Sequence, residues 1–127
     1  MLLTSEFQRL GIAIDATRDG EVSDEDREHG IVGRQSLLKE VAALRKILED
    51  RGSAKTLLLG GDCATDLAPI AYHLTPDLTI VYFYAHADLN QPSESPSGAL
   101  HGMVLRHLLG HGDAELVSIL GRSLNPE

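Results

Sequence analysis

Apolar residues between positions 35 and 51 recur with the period of an α-helix. The stripe consists of Leu37, Val41, Leu44 and Leu48, at steps of four, three and four. This spacing aligns side chains on one face of a helix. The charged residues away from the stripe are Lys39, Glu40, Arg45 and Lys46. Gly52 can adopt the left-handed conformation that ends helices, so we predict an amphipathic helix over residues 35–51.

Two short apolar runs flank a second helical pattern. Thr56–Leu59 is followed by two glycines and is typical of a parallel strand buried on both faces. Between Ala64 and Leu74 apolar residues again recur at helical spacing, and Pro69 is tolerable there if it lies in the first turn. A second strand is predicted over Leu78–Tyr84. Strand, helix and strand in succession favour an α/β fold in three layers, with a parallel sheet between helices.

Shorter patterns indicate the remaining elements. The apolar runs Gly11–Asp15 and Leu116–Leu120 are predicted to be strands. The mostly polar stretch Thr17–Arg34 contains a dense run of acidic residues and is predicted to be a surface loop. Met103–Leu109 is predicted to be helical, and Asn90–Gly98, rich in serine and proline, to be a loop.

Composition and charge disfavour nucleic acid and anionic membranes as partners. Hydrophobic residues make up 43% of the 127 residues and charged residues 24%, which fits one globular domain with a core. The formal net charge is −8, so the phosphates of nucleic acid and of anionic membranes would repel the chain. The single cysteine, Cys63, excludes an intrachain disulfide and fits a reducing compartment. With no targeting or membrane-spanning segment in the sequence, we expect a cytoplasmic protein.

Polar side chains follow both predicted central strands. Asp62 and Cys63 come after the first, and Tyr84, His86 and Asp88 come after the second at a spacing of two. That spacing points side chains to one side of an extended chain, where open parallel sheets bind their ligands. Imidazole with carboxylate suits manganese, iron, nickel or zinc. The alternative is that Asp88 caps the following turn and His86 is a hydrogen-bonded interior residue.

Three motifs extend these clusters in order along the chain. They are Gly60-Gly-Asp-Cys63, Tyr84-Ala-His-Ala-Asp-Leu-Asn-Gln-Pro92 and Pro96-Ser-Gly-Ala-Leu-His-Gly-Met103. Together they resemble the ureohydrolase signature of Gly-Gly-Asp-His, Asp-Ala-His-x-Asp and Ser-Gly-Asn-x-His-Gly, over roughly residues 55–110. That family includes arginase, agmatinase and formimidoylglutamase. The resemblance implies an arginase-like fold, with residues 1–127 as a single domain that lacks the family's carboxyl-terminal part.

The resemblance also implies a metal centre. In the family two manganese ions lower the pKa of a bridging water, and the resulting hydroxide attacks a guanidinium carbon. By position, His86 and Asp88 match metal ligands, and Cys63 stands where a histidine ligand is usual. Cysteine is a softer ligand than manganese prefers. We therefore expect reduced or absent manganese occupancy at Cys63, His86 and Asp88.

Three further residues match positions that handle protons and substrate in the family. His101 matches the histidine proposed to shuttle protons, a role that suits imidazole because it titrates near neutrality. Its alternative role is packing within a loop. Asn90 and Ser97 match residues that hold the amino-acid end of substrate in arginases by hydrogen bonds. Their alternative is ordinary turn chemistry.

The sequence departs from the family pattern at several positions. Tyr84 replaces the aspartate that bridges both metals, and a phenol with a pKa of about 10 is a poor substitute. Ala99 replaces an asparagine of the third motif, which weakens recognition of one end of the substrate. The later Asp-x-Asp motif, which supplies the remaining carboxylates, has no match between Leu116 and Glu127.

The resemblance and the departures lead to one main functional hypothesis and two alternatives. The main hypothesis is an arginase-family metallohydrolase acting on a guanidino substrate such as arginine or agmatine, impaired as an isolated chain, with a homo-oligomer or a complementing chain as partner. The first alternative is a non-catalytic ureohydrolase-like binding or regulatory protein, or an inactive fragment. The second is a nucleotide-binding domain that uses Gly60 and Gly61 before a helix, although it lacks a phosphate-loop lysine and Asp62 would repel phosphate.

Overall fold

A computed structural model describes residues 26–52 and 55–124 of the chain. Its elements, in chain order, are β1 (Arg27–Glu28), β2 (Ile31–Val32), α1 (Arg34–Arg51), a 3₁₀ helix (Cys63–Asp66), α2 (Leu67–His73), a second 3₁₀ helix (Leu100–Met103), α3 (Val104–Leu108) and α4 (Ala114–Leu120). Helix α1 packs against α2 and α4, and α3 packs against both of these shorter helices. The strand predicted at Gly11–Asp15 lies outside the described residues.

The long helix α1 confirms the prediction made from the apolar stripe. It ends at Gly52, whose N–H donates to the carbonyl oxygens of Leu48 and Glu49 at 3.0 and 3.3 Å. Leu38 joins the buried face although the stripe did not include it. The apolar residues of this face are Leu38, Val41 and Leu48, which are buried, with Leu37 and Leu44 partly buried. None of the helices in the described ranges is long and apolar enough to cross a membrane.

The position of Arg45 off the apolar stripe suggested a side chain apart from the core, but Arg45 contacts the end of α4. Its Nη1 donates to the carbonyl oxygen of Ile119 at 2.5 Å and also to that of Leu120, at the carboxyl end of α4. Its Nε donates to Glu49 Oε1 at 2.9 Å. Carbonyl oxygens at a helix end lack partners within the helix and carry partial negative charge. The guanidinium therefore ties α1 to the end of α4, a contact that helical periodicity alone does not reveal.

The polar stretch predicted as a loop contains an antiparallel hairpin where it is described. The residue pairs are Arg27 with Val32 and Glu28 with Ile31. The turn residues His29 and Gly30 have φ of 50° and 84°, the positive values that tight hairpins favour. A side chain at Gly30 would meet the Pro92 carbonyl oxygen at 2.2 Å. Glycine therefore lets this turn pack against the end of the second motif.

The second and third helices confirm their predictions in type. Ala64–Leu74 was predicted to be helical, and it holds the first 3₁₀ helix followed by α2. Pro69 is the third residue of α2, so it lies in the first turn, where its missing N–H has no intrahelical partner to lose. Met103–Leu109 overlaps the second 3₁₀ helix and contains α3.

The strand predicted at Leu116–Leu120 is wrong, because this segment belongs to helix α4. Asp113 Oδ1 accepts hydrogen bonds from the backbone N–H groups of Glu115 and Leu116, both at 3.1 Å, which caps the helix start. Gly121, with φ of 69°, ends the helix in the left-handed conformation. Leu116 and Leu120 lie four residues apart and are both buried, which is helical spacing. A five-residue apolar run does not distinguish a strand from a short buried helix.

The predicted parallel sheet is not confirmed within the described ranges, where β1 and β2 are the paired strands. Thr56–Leu59 and Leu78–Tyr84 are not paired as strands there. Large apolar side chains on both segments face solvent: Leu57 is 74% exposed, Val81 69% and Phe83 93%. A parallel strand needs neighbours to take up its backbone groups and cover its faces, and one predicted neighbour lies in the undescribed part of the chain.

A buried ion pair joins the start of α1 to Asp113, the residue that precedes α4. The Arg34 guanidinium donates to both carboxylate oxygens of Asp113, from Nε at 3.0 Å and from Nη2 at 2.9 Å, and the two side chains are each 4% exposed. Arg34 Nη2 also donates to Glu115 Oε2 at 2.8 Å. These bonds raise the pKa of Arg34 above its usual value. Burial pushes the pKa of Asp113 upward, but hydrogen bonds from Arg34 and the Leu116 N–H outweigh it and hold that pKa at about 2.

His107 links α3 to the same cluster and is fully buried. Its Nδ1 lies 2.8 Å from the Met103 carbonyl oxygen, and its Nε2 accepts the backbone N–H of Asp113 at 2.9 Å. This pattern requires a neutral ring with the proton on Nδ1. Burial is the main cause that lowers the pKa of His107. A side chain at Gly112 would come within 2.2 Å of the ring, so the segment before α4 closes tightly over it.

Removing one partner of the buried pair is expected to destabilise the fold strongly. Arg34→Met leaves the buried Asp113 carboxylate without the guanidinium, and Asp113→Ala leaves Arg34 with only the exposed carboxylates of Glu115 and Glu28. We expect each variant to lower the free energy of unfolding by about 3–5 kcal/mol. The double variant is expected to lose less free energy of unfolding than the two single variants lose together, because the two side chains interact directly. Urea denaturation measures all three. The control is Lys46→Met, which breaks the exposed pair with Asp50 and is expected to cost less than about 1 kcal/mol. Additive losses for Arg34 and Asp113 would contradict the coupling.

Stability is expected to fall on mild acidification because of His107. The unfolded chain takes up a proton on this ring as pH falls through 6.5, whereas the folded chain resists it, so its contribution is full above 6.5 and declines below. The loss is at most about 1.4 kcal/mol per pH unit. The contribution of Asp113 is lost only at lower pH, between 3.8 and about 2. Urea denaturation at several pH values between about 7 and 5 gives the change of the free energy of unfolding with pH. We expect this change to be smaller in His107→Gln than in the parent chain and unchanged in His111→Gln. Equal changes in all three proteins would refute the assignment to His107.

Candidate functional site

Backbone and side-chain contacts bring the three motifs together at one face of the molecule. The backbone N–H of Asn90 donates to the carbonyl oxygen of Gly102 at 3.1 Å, which joins the second motif to the third. The Asp88 carbonyl oxygen accepts from the N–H of Arg106 in α3 at 3.2 Å. His101 Nδ1 lies 3.7 Å from Asp62 Oδ2, which brings the first motif to the third. Segments far apart in sequence thus form one candidate site.

The turn that carries the first motif is built around Asp62. Its Oδ1 accepts the backbone N–H of Ala64 at 2.8 Å, and Thr65 Oγ1 donates to its carbonyl oxygen at 2.6 Å. A side chain at Gly60 would meet Thr65 Oγ1 at 2.0 Å, so the turn needs glycine for its close approach. Because the carboxylate of Asp62 already occupies the start of the 3₁₀ helix, the geometry disfavours the nucleotide-binding alternative.

Cys63 and Tyr84 are in direct contact. The Cys63 thiol and the Tyr84 hydroxyl oxygen lie 2.6 Å apart in a hydrogen bond between the first and second motifs. This bond is the main cause that raises the pKa of Tyr84 to about 12, so the phenol keeps its proton at neutral pH. Tyr84 therefore presents a neutral hydroxyl where the family pattern has an anionic carboxylate.

Asp88 is the predicted ligand that is buried, at 5% exposure. Its Oδ2 accepts a hydrogen bond from the Tyr82 hydroxyl at 2.5 Å. Burial and this bond raise the pKa of Tyr82 above its usual value. Asp88 has φ of 50°, an unusual conformation for a residue other than glycine. The alternative prediction was that Asp88 caps the following turn. In the described residues its carboxylate is instead hydrogen-bonded to the Tyr82 hydroxyl.

His86 is exposed, so the alternative that made it a hydrogen-bonded interior residue is wrong. Its ring packs edge-on against Tyr84, with centroids 5.8 Å apart. Over residues 26–52 and 55–124, no group of three or more His, Cys, Asp or Glu side chains is placed to hold a metal ion. Cys63, His86 and Asp88 therefore do not fit a manganese centre in this arrangement, and their role as ligands stays a prediction.

The residues predicted to handle protons and substrate lie close to these motifs. The His101 side chain is 53% exposed and faces the Asp62 carboxylate. The Asn90 side chain is next to the third motif, since a side chain at Gly102 would come within 3.1 Å of its Nδ2. Ser97 Oγ accepts the backbone N–H of Ala99 at 3.3 Å, which is ordinary turn chemistry. Their predicted functional roles stay predictions.

Tyr82 is the residue of this site that the sequence analysis missed. It belongs to the same two-residue alternation as Tyr84, His86 and Asp88, one step earlier. Extending that alternation backwards would have included it. Ser95, also missed, is buried and accepts the backbone N–H of Gly98 at 3.1 Å; its place in a polar loop gave no signal of burial.

Comparison with known proteins agrees with the resemblance carried by the motifs. The sequence model described as Arginase family matches residues 8–127. An arginase of Staphylococcus aureus (strain COL) is 38% identical over 96 residues, which cover 73% of this chain and 30% of that protein. A hepatic arginase of Aquarana catesbeiana is 39% identical over 75 residues, covering 58% of this chain and 23% of that protein.

Solved structures give the same answer for the fold. The arginase of Entamoeba histolytica in complex with L-ornithine superposes with a TM-score of 0.75 at 26% identity, covering 98% of this chain and 46% of that one. The arginase of Bacillus subtilis superposes with a TM-score of 0.66 at 29% identity, covering 96% and 43%. This chain therefore spans less than half the length of these relatives. The α/β class is consistent with these neighbours, and on this evidence the chain belongs to the arginase family.

Proposed function

We propose that this chain carries the amino-terminal motif set of a ureohydrolase-type hydrolase acting on a guanidino compound such as arginine or agmatine. The contact between His101 and Asp62 is the observation that carries the proposal, because it pairs an exposed imidazole with a carboxylate where the motifs meet. Such a pair can hold and pass a proton at the mouth of a site. Family membership and relatives named arginase support it. Residues 1–127 act as a single domain in this proposal.

The proposed roles follow the positions of the side chains. His101 Nδ1 faces Asp62, which leaves Nε2 to exchange a proton with substrate or solvent. Asn90 and Ser97 hold the amino-acid end of the substrate through amide and hydroxyl hydrogen bonds. By the family pattern Cys63, His86 and Asp88 correspond to manganese ligands, but they do not converge on one site in the described residues, so this proposal includes reduced or absent manganese occupancy.

We propose that the chain by itself is impaired. Three donors that are not gathered together bind a divalent cation poorly, and two cations without bridging carboxylates repel each other. The missing carboxylates then come from further polypeptide, either in the same chain or from a complementing one. The second candidate function is a non-catalytic ureohydrolase-like binding protein. The hydrogen bonds of Tyr82 and Tyr84 to two of the predicted metal donors favour it.

The exposed apolar side chains support association with a second copy or with a complementing chain. Phe83 is 93% exposed and Val81 69%, on a segment predicted to be a strand. Unpaired strand edges and apolar faces favour pairing with another chain. The cytoplasmic location expected from the composition stays a prediction.

Sedimentation tests the proposed self-association. At micromolar concentration we expect a species larger than a monomer, because burial of these apolar faces stabilises contact between chains. Phe83→Glu is expected to shift the distribution toward the monomer, since it places a charge on the apolar face. The matched control is Ala42→Glu, on the exposed side of α1, which is expected to leave the distribution unchanged. A clean monomer for the parent chain would overturn the self-association proposal.

Metal content and urea release test the hydrolase proposal. After incubation with manganese, we expect substoichiometric metal by elemental analysis, reduced further in His86→Ala and Asp88→Ala. We expect weak urea release from arginine, lost in His101→Ala by on the order of 10²-fold or to the blank, because a positioned general acid or base contributes that much. His111→Ala, which changes an exposed histidine outside the motifs, is the control and is expected to keep the parent rate.

The outcomes separate the two candidate functions. Urea release that depends on His101 but not on His111 supports the hydrolase. No metal above background and no urea would retire the hydrolase for the isolated chain and leave the binding protein. Stoichiometric metal with a full rate would instead show that the chain is not impaired.

A further inference from the structure

Two tyrosine hydroxyls hold two of the three side chains that the family pattern assigns to metal. The Tyr82 hydroxyl donates to Asp88 Oδ2 at 2.5 Å, and the Tyr84 hydroxyl is hydrogen-bonded to Cys63 Sγ at 2.6 Å. Each bond involves the oxygen or sulfur atom that would coordinate a metal ion. The third predicted ligand, His86, packs edge-on against the ring of Tyr84.

These bonds join parts of the site that the backbone leaves separate. Cys63 belongs to the first motif and Tyr84 to the second, 21 residues further along the chain. The bond from Tyr82 to Asp88 spans six residues and closes the segment between them into a loop. The two tyrosine rings lie 5.7 Å apart, so the two bonds form one continuous cluster. A metal ion shared by the same side chains would connect the same segments.

In the first bond the Tyr82 hydroxyl donates to the Asp88 carboxylate, and in the second the Cys63 thiol donates to the Tyr84 hydroxyl oxygen. A hydroxyl bonded to a buried carboxylate is charge-assisted and stronger than a bond between neutral groups. The carboxylate of Asp88 is satisfied in this way despite its burial, with no need of a cation.

We propose that the hydroxyls of Tyr82 and Tyr84 take the place of a metal ion in this chain, tying the second motif to the residues just before it and to the first motif. The site therefore keeps its geometry without bound metal, and its stability does not depend on manganese. This inference goes beyond the proposed hydrolase function and does not rest on it. A hydrolase completed by further polypeptide would have to break these bonds before its metal could use Asp88 and Cys63.

Thermal unfolding with and without metal tests the first half of the proposal. The midpoint of the parent chain is expected to stay within about 1 °C in excess EDTA and in excess MnCl₂, because a ligand stabilises a fold only in proportion to its binding. A midpoint that falls in EDTA or rises by several degrees in MnCl₂ would overturn the proposal.

Removal of the hydroxyls tests the second half. Tyr82→Phe is expected to lower the midpoint by about 3–6 °C, because it leaves the buried Asp88 carboxylate unpaired. Tyr84→Phe is expected to lower it less, since Tyr84 is 51% exposed. Tyr72→Phe is the matched control, because the Tyr72 ring packs edge-on against His73 and phenylalanine keeps that contact. It is expected to leave the midpoint unchanged.

Double-mutant cycles separate the two bonds from general packing. Tyr84→Phe with Cys63→Ala, and Tyr82→Phe with Asp88→Asn, are each expected to shift the midpoint by less than the sum of the single changes. Additive shifts in both cycles would overturn the proposal, because they would mean that the hydroxyls do not act through these partners. Urea release does not enter these readouts, so the proposal and the hydrolase function can fail independently.

Discussion

The buried guanidinium of Arg34 is the constraint on which the rest of the structure depends. A charge at 4% exposure is tolerable only with a partner, and Asp113 supplies it through two hydrogen bonds. The same carboxylate caps α4, and the Asp113 N–H binds the ring of His107 in α3. At the other end of α4, Arg45 holds the last carbonyl oxygens. One helix, α1, therefore fixes the position of the carboxyl-terminal helices.

The helical core supports the segments that carry the candidate site. The two 3₁₀ helices that carry the first and third motifs are anchored by buried apolar residues, Ala64 in one and Leu100 and Met103 in the other. Of the predicted site residues, the His101 side chain is 53% exposed, whereas Asp88 is buried. Helices and buried apolar residues form this core, whereas the predicted parallel sheet is not seen among the described residues.

The departures from the family pattern change the chemistry more than the fold. Tyr84 replaces an anionic ligand by a neutral phenol, and that phenol finds Cys63, itself a departure. The superposition on arginases at a TM-score of 0.75 survives these changes, because the core residues beneath the motifs do not depend on them. The departures at Cys63 and Tyr84 therefore alter contacts between neighbouring side chains and leave the fold of the family in place.

Local sequence determined α1, the positions of α2 and α3, and membership of the arginase family, because helical periodicity and motif order are written in neighbouring residues. Tertiary structure decided what depends on distant partners. Arg34 finds Asp113 across 79 residues, and the run that resembles a strand becomes α4 because that same Asp113 caps it. The bonds of Tyr82 and Tyr84 were hidden for the same reason: a side chain's partner is chosen by the folded core, and no local pattern encodes it.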